Sequence, residues 1–146
     1  MGKSIKLDNI TSLFNPLRGE VYYVPDEDVQ MTRLKEDILK GKLRTVLIVC
    51  STDILNLKEL PYYNIIPLTT KGNPDSFCFP IAGKYKDVEK DFKPDKNSLA
   101  LLPFFQPIRK ELLISRCGII EDECYQAIVT ALCMTVIGYD DYDLEP

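Results

Sequence analysis

Two polar side chains at the ends of apolar, strand-like runs have the clearest potential for chemistry in this sequence. Arg44 begins the run at residues 44–50, and Thr69 lies at the end of the run at residues 64–70. A strand is a stiff support, so a side chain at its tip is held in a defined direction. If the two tips meet, they place a fixed cation beside a hydroxyl. Such a pair can grip and strain a phosphodiester.

Runs rich in β-branched and aromatic residues predict the strands that would hold these side chains. The predicted strands lie at residues 18–24, 45–50, 62–68, 76–81 and 99–105. The run at 45–50 is apolar throughout, which is typical of a strand buried on both faces. Pro67 predicts a sheet edge or a bulge, because proline has no N–H for the ladder. The polar stretch 83–97 is interpreted as a surface loop or a ragged hairpin.

Two patterns with helical spacing predict helices. Met31, Leu34 and Ile38 predict a short amphipathic helix at residues 28–40, which is an insertion between the first two strands. A longer helix is predicted from residue 121 to a stop at Gly138. The apolar positions of this second helix are Cys124, Ala127, Ile128, Ala131 and Leu132. Its other side is apolar as well, so we predict a homodimer that covers part of its surface.

The length of 146 residues fits one domain. We expect a lead-in at 1–17, a folded domain at 18–138 and an acidic tail at 139–146. The predicted fold class is mainly β (α+β). It is a strongly twisted antiparallel sheet of five to seven strands that closes on itself, with a C-terminal helix.

Charge and cysteine usage exclude several classes of protein. The net charge of −4 argues against a protein that coats duplex DNA, because neutralising phosphates requires a basic face. The chain has five cysteines without a CxxC pair and no histidine, so we expect no zinc or other metal site. The odd cysteine count and the lack of a signal peptide favour the cytoplasm. No apolar run approaches the ~18 residues of a membrane span.

Four pieces of the chain, in this order, resemble the MazF/PemK toxin family, whose members are small ribonucleases of toxin–antitoxin systems with an SH3-like barrel. The resemblance covers about residues 18–138, and the terminal helix has the corresponding place. The four pieces are Arg-Gly-Glu-Val-Tyr at 18–22, Arg-Thr-Val-Leu-Ile-Val at 44–49, Ile-Pro-Leu-Thr-Thr at 66–70 and Gln-Pro-Ile-Arg at 106–109.

The resemblance implies that Arg44 and Thr69 form the catalytic pair. It also implies that single-stranded RNA is cut without a metal or another cofactor, through attack of a ribose 2′-hydroxyl on the adjacent phosphate. The fork of an arginine matches the extra negative charge of the phosphorane, and a threonine hydroxyl can donate to a phosphate oxygen. A general acid–base is also required, and Glu20, Asp53 and Arg44 itself remain candidates.

The resemblance further implies a set of RNA-binding residues and an antitoxin protein as partner. The predicted RNA-binding residues are Glu20, Ser51, Asp53, Thr70 and Lys71.

The chain also departs from the family pattern. Thr45 stands where the family has proline, and the insertion at 28–40 replaces a glycine-rich loop. Pro103, Phe104 and Phe105 stand where some relatives carry Arg-x-Asp. The alternative function is therefore a catalytically inactive barrel that binds protein partners or RNA.

Both site residues have a structural interpretation too. Arg44 fits a strand-end cation that forms a salt bridge with Glu20 or Asp37. Thr69 fits a hydroxyl that caps a turn.

Overall fold

The computed structural model describes residues 16–32, 38 and 40–138, and within this part of the chain eight antiparallel strands form one sheet. The order across the sheet is β4-β6-β3-β2-β1-β8-β5, and β7 also pairs with β3. The prediction of a mainly β fold built on an antiparallel sheet is confirmed. The strands are β1 Glu20–Pro25, β2 Leu43–Ile48, β3 Tyr62–Thr69, β4 Cys78–Pro80, β5 Tyr85–Val88, β6 Leu99–Leu101, β7 Gln106–Arg109 and β8 Ser115–Ile120.

Two α-helices accompany the sheet, α1 at Thr52–Leu55 and α2 at Asp122–Ala131. The Ser51 hydroxyl caps α1 by accepting the backbone N–H of Ile54 at 3.2 Å. A π-helical segment at Leu132–Ile137 continues α2. It stops at Gly138, whose φ of 80° is left-handed and therefore suits glycine. The C-terminal helix is thus confirmed, with a π-helical last part. No described helix is long and apolar enough to cross a membrane.

The helix predicted at 28–40 begins differently in the structure. A 3₁₀ turn occupies Asp26–Asp28, and residues 29–32 form no helix. Residues 33–37 and 39 lie outside the described residues, as do residues 1–15 of the lead-in and the acidic tail at 139–146.

Within the described residues the sheet has eight strands, more than the expected five to seven, because three strands were not predicted from the sequence pattern. They are β5, within the stretch interpreted as a surface loop or a ragged hairpin, β7 and β8. Gly118 weakens the strand pattern of β8, yet β8 requires a glycine there. A Cβ at this position would lie 2.5 Å from the carbonyl oxygen of Asp87 in the neighbouring strand β5.

The predicted strand at 99–105 is shorter than expected and is followed by a separate strand. It ends as β6 at Leu101, a 3₁₀ turn follows at Leu102–Phe104, and β7 begins at Gln106. Both β6 and β7 pair with β3. Pro67 lies between the part of β3 that pairs with β7 and the part that pairs with β6. The ladder on this side of β3 is interrupted at Pro67, where β3 changes partner. β3 lies inside the sheet, so the predicted sheet edge at Pro67 is wrong.

Strands β1, β2 and β3 are buried on both faces. Successive side chains of a strand alternate between the two faces of a sheet, and Val46, Leu47 and Ile48 are each 0% exposed. One face packs against α2 through a cluster that includes Leu47 and Ile128. The opposite face packs against the Asp26–Met31 segment, α1 and the 3₁₀ turn at Lys110–Leu112. The prediction that the run at 45–50 is buried on both faces is confirmed.

Candidate functional site

Arg44 and the end of β3 converge in the structure. The register of β2 on β3 pairs Val46 with Pro67 and Leu47 with Ile66. Continued by two residues, this register places Arg44 opposite Thr69. The Arg44 Nη1 group donates to the carbonyl oxygen of Leu68 at 2.7 Å. This carbonyl belongs to the peptide that joins Leu68 to Thr69, so the guanidinium lies beside the tip of β3.

A buried carboxylate holds the Arg44 guanidinium from the other side. The Nε group of Arg44 donates to Asp26 Oδ1 at 2.6 Å, and the two side chains are 20% and 3% exposed. Asp26 follows the end of β1, and its N–H donates to the carbonyl of Lys42 at 2.9 Å. The salt-bridge partner of Arg44 is therefore Asp26 and not Glu20, whereas Asp37 lies outside the described residues.

Asp26 is the residue of this site that the sequence interpretation missed. It lies in an acidic run at residues 26–28, just before and within the start of the helix predicted at 28–40, where acids also suit a helix N-terminus. Its place directly after β1 brings it to the site, because the register of β1 on β2 pairs Val24 with Arg44.

Two of the five N–H groups of the Arg44 guanidinium are used by Asp26 and Leu68. Within the described part of the chain, no other acceptor bonds to the remaining three. The guanidinium is thus fixed in orientation and retains donors for a further anion. This is the arrangement that bidentate binding of a phosphate requires.

Thr69 is half-buried at the end of β3, and its hydroxyl oxygen accepts the backbone N–H of Lys71 at 3.2 Å. This contact agrees with the structural interpretation of a turn-capping hydroxyl. A hydroxyl that accepts one hydrogen bond still has its own hydrogen to donate. Thr70 and Lys71 follow directly and are exposed. The structure therefore places Arg44, Thr69, Thr70 and Lys71 at one end of the sheet.

The other predicted residues lie at the opposite end. Ser51 follows Arg44 by seven residues along an extended chain, which corresponds to roughly 23 Å at 3.3 Å per residue. Asp53 is exposed in the first turn of α1. Glu20 begins β1, next to Gly19, whose N–H donates to the carbonyl of Ile48. Ser51, Asp53 and Glu20 are therefore not brought together with the Arg44–Thr69 pair.

Glu20 belongs to a buried ionic network. Its carboxylate accepts the Nε group of Arg116, the backbone N–H of Leu17 at 2.6 Å and the hydroxyl of Tyr22 at 3.3 Å. The Glu20 side chain is only 6% exposed. Burial, reinforced by the neighbouring Glu20 carboxylate, raises the pKa of Tyr22 far above its ordinary value. These bonds fix the start of β1 against β8, which is a structural role.

Gln106 begins β7 opposite Ile65, in the middle of β3, and its side chain forms three hydrogen bonds with described residues. Its Oε1 accepts the backbone N–H of Gln30 at 2.9 Å, and its Nε2 donates to the carbonyl of Gln30 at 2.9 Å. The same Nε2 group donates to the carbonyl of Phe104 at 2.8 Å. Gln106 belongs to the fourth piece of the resemblance to the toxin family.

A cavity of about 380 Å³ lies near the Glu20 end of the molecule. The Arg18 guanidinium lies 5.8 Å from the ring centroid of Tyr125, and the Tyr125 hydroxyl donates to the carbonyl of Cys50 at 3.3 Å. This cavity is not formed by the Arg44–Thr69 pair. It is lined by Arg18, Ile120, Asp122, Tyr125, Gln126, Val129 and Thr130.

The buried cysteines do not favour thiol chemistry. Burial raises the pKa of Cys117 to about 12 and that of Cys124 to about 11. Burial also raises the pKa of Cys50, whose sulfur accepts the backbone N–H of Asn64 at 3.0 Å. The thiolate is the reactive form, so these residues act as small core side chains.

Solved structures with a similar fold come from toxin–antitoxin systems. The chain superposes on Mycobacterium tuberculosis toxin MazF-mt6 with a TM-score of 0.56 and 16% identity, over 83% of this chain and 96% of that chain. A mycobacterial endoribonuclease in complex with its cognate antitoxin gives a TM-score of 0.55 and 19% identity, over 84% and 95%. MazE-MazF from Deinococcus radiodurans gives 0.55 and 8% identity, over 81% and 91%.

No protein-family model matches the chain, and no curated protein is significantly similar to it in sequence. At these identities the structural similarity establishes the fold. The chain has the fold of MazF toxins over most of its length, and the predicted resemblance to that family is confirmed at the level of the fold.

Proposed function

We propose that this protein is an endoribonuclease toxin of a toxin–antitoxin system that cuts single-stranded RNA without a metal. The observation that carries the proposal is the Arg44 guanidinium, fixed by Asp26 and by the Leu68 carbonyl next to Thr69. The fold shared with MazF toxins and an endoribonuclease supports it. We further propose that the protein acts in the cytoplasm.

In the proposed reaction, a ribose 2′-oxygen attacks the adjacent phosphorus and the 5′-oxygen of the next nucleotide leaves. The products are a 2′,3′-cyclic phosphate and a 5′-hydroxyl end. The proton of the 2′-hydroxyl goes to a base, and the 5′-oxygen gains a proton as it leaves. Arg44 stabilises the negative charge of the phosphorane with the N–H groups that remain available. The Thr69 hydroxyl donates to a phosphate oxygen or orients the nucleophile.

The geometry reduces the candidates for proton transfer. Glu20 and Asp53 lie at the other end of the sheet, too far away to reach a phosphate bound by Arg44, because a general base must be within hydrogen-bonding reach of its proton. Of the three candidates from the sequence, only Arg44 itself belongs to the site. Asp26 is the carboxylate that contacts Arg44. The predicted RNA-binding role is therefore retained for Thr70 and Lys71, and RNA that also contacted Glu20, Ser51 or Asp53 would have to span the sheet.

Replacing Thr69 tests the proposed pair. We expect Thr69→Val to reduce the rate of RNA cleavage by roughly 10-fold to 100-fold, because valine keeps the shape of the side chain and removes the donor. Thr69→Ser retains the hydroxyl and is expected to stay close to the wild type. The measurement is single-turnover cleavage of a mixed-sequence RNA by the purified protein. Equal rates for wild type and Thr69→Val would contradict the role of Thr69, and no cleavage by wild type would contradict the function.

A second candidate function is a barrel that binds RNA or protein without cutting. The observation that favours it is the ion pair between Arg44 and Asp26. The Asp26 carboxylate, in the segment that follows β1, already binds the Arg44 guanidinium. Expression in a bacterium distinguishes the two functions. Growth arrest that is relieved by Arg44→Ala supports the nuclease, whereas harmless overexpression supports the binding module.

We also propose that two copies associate through the end of the C-terminal helix and that an antitoxin protein is a further partner. The π-helical segment leaves apolar side chains exposed, with Met134 at 45%, Val136 at 37% and Ile137 at 56%. An exposed cluster of this kind marks an interaction surface. A similar endoribonuclease was solved with its cognate antitoxin, which supports the second partner.

Charge placed on the exposed helix end should separate the two copies. We expect Met134→Lys and Ile137→Lys together to change the mass in solution from dimer to monomer, because burying two ammonium groups in an apolar interface is costly. Light scattering at micromolar concentration measures the mass. Leu57→Lys, at a residue that is 47% exposed and distant in sequence, serves as the control. A wild type that is already monomeric would contradict the dimer.

A further inference from the structure

The segment from Asp26 to Gln30 is bonded at one end to Arg44 of the proposed RNA site and at the other end to Gln106. Asp26 gives a carboxylate oxygen to Arg44, and Gln30 bonds to the Gln106 carboxamide through its backbone N–H and C=O. Val29, between these ends, is 2% exposed and belongs to the adjoining core cluster. The segment therefore lies between Arg44 and Gln106 and contacts both side chains.

The Gln106 carboxamide is held in place independently of this segment. Its Nε2 group donates to the Phe104 carbonyl at 2.8 Å, within the short connection between β6 and β7. This bond uses one of the two amide hydrogens. The second hydrogen and the Oε1 oxygen remain as an adjacent donor and acceptor of fixed direction, and Gln30 takes both.

The two bonds to Gln30 have the chemistry of base recognition. A backbone N–H beside a C=O presents one donor and one acceptor, as does the hydrogen-bonding edge of a nucleobase. A glutamine carboxamide that bonds such an edge with two hydrogen bonds is a common form of base readout. In single-stranded RNA the base edges are accessible for contacts of this kind.

Arg44 and Gln106 lie on opposite sides of β3, and the Asp26–Gln30 segment spans the distance between them. Arg44 lies opposite Thr69 by register, and Gln106 pairs with Ile65. These positions on β3 are four residues apart, or roughly 13 Å, and the strands that bear Arg44 and Gln106 lie on opposite sides of β3, roughly 10 Å apart.

We propose that Gln106 reads a base of the RNA substrate, and that the Asp26–Gln30 segment holds the place of a nucleotide in the free protein. The Asp26 carboxylate occupies the position of the phosphate beside Arg44. The backbone N–H and C=O of Gln30 occupy the position of the base edge beside Gln106. RNA binding displaces Gln30 and transfers the Gln106 carboxamide to the base. This inference rests on the proposed function, because it assigns the substrate contact of the same site.

Base preference in the absence of cleavage provides the test. A pool of random single-stranded DNA hexamers has no 2′-hydroxyl and cannot be cut by the proposed reaction. Bound and free fractions are separated and sequenced. We expect wild type to show a preference at one position, and Gln106→Leu to lose that preference about 10-fold while retaining those at other positions. Gln106→Glu presents only acceptors and is expected to shift the preference toward guanine, whose N1–H and N2–H are adjacent donors.

Gln30→Glu is the matched control, because it introduces the same charge beside the site and leaves the Gln30 backbone groups unchanged. It is expected to keep the wild-type preference, and thermal unfolding confirms that each variant is folded. An unchanged preference in Gln106→Leu, equal shifts in Gln30→Glu and Gln106→Glu, or a wild type without preference would each overturn the inference. Selective binding without RNA cleavage by wild type would contradict the proposed nuclease and leave the base contact supported.

Discussion

Replacing Arg44 with alanine is expected to reduce the rate of RNA cleavage by roughly 100-fold to 1,000-fold. The guanidinium is the only group shown at the tips of β2 and β3 with a fixed positive charge and N–H groups to spare, among the residues that the structure describes. Loss of one preorganised donor to a developing oxyanion typically has an effect of this size. Single-turnover cleavage of a mixed-sequence RNA measures it.

The single replacement has a second consequence that must be separated from catalysis. It removes the arginine from the Asp26 carboxylate, which is 3% exposed, and breaking a buried ion pair by removing one partner is destabilising. The double variant Arg44→Ala, Asp26→Asn removes that charge while keeping the shape of Asp26. We expect this variant to be folded and inactive, whereas Asp26→Asn alone retains Arg44 and remains active.

Arg109→Ala is the matched control for charge. Arg109 lies in β7, its side chain is 57% exposed, and it forms a surface pair with Glu111. Its replacement removes one positive charge from the protein and is expected to change cleavage by less than about 3-fold, because exposed charges contribute little. A folded double variant that cuts RNA as fast as wild type would rule out Arg44 as the catalytic cation.

Arg116→Ala is expected to destabilise the fold by about 3 kcal/mol, since it leaves the Glu20 carboxylate buried without its cation. The value lies at the low end for buried pairs because the Arg116 side chain is 26% exposed. Arg116 also contacts Glu89, and Asp87 lies 3.8 Å away, so the replacement leaves three carboxylates close together. Urea unfolding at neutral pH measures the free energy.

The double variant Arg116→Met, Glu20→Gln distinguishes loss of the ion pair from loss of packing. It removes both buried charges and keeps side chains of similar length, so we expect it to recover most of the lost stability. Arg109→Met breaks a surface ion pair and is expected to change stability by less than about 1 kcal/mol. If Arg116→Ala were as stable as Arg109→Met, the network around Glu20 would not support the start of β1.

The local pattern of the sequence was sufficient for those parts of the fold that depend on neighbouring residues. The apolar run at 45–50 indicated burial on both faces, and the helical spacing after residue 121 indicated α2. Strand β8 was missed because Gly118 interrupts its pattern. Glycine is required there because the backbone lies close to the carbonyl oxygen of Asp87, about thirty residues away in sequence. A local pattern does not reveal such an approach.

The candidate site, like the fold, could be predicted only in part from the sequence. Arg44 and Thr69 could be selected as strand tips, and the structure brings the tip that bears Arg44 to the peptide before Thr69. Ser51 was grouped with Arg44 although the predicted strand at 45–50 separates them, and an extended run of that length already places its two ends roughly 23 Å apart. Asp26 was missed because its role depends on the pairing of β1 with β2 and on burial, neither of which the run of acids at 26–28 reveals.

The double-sided packing of β1, β2 and β3 limits where this protein can acquire new chemistry. A strand with no solvent-facing side cannot accept a polar replacement in its middle without loss of stability. Val46 and its neighbours therefore contribute to the stability of the core. Functional diversity among chains of this architecture must then arise at the chain reversals, through inserted or exchanged residues. Recognition of different ligands can therefore change while the supporting scaffold stays the same.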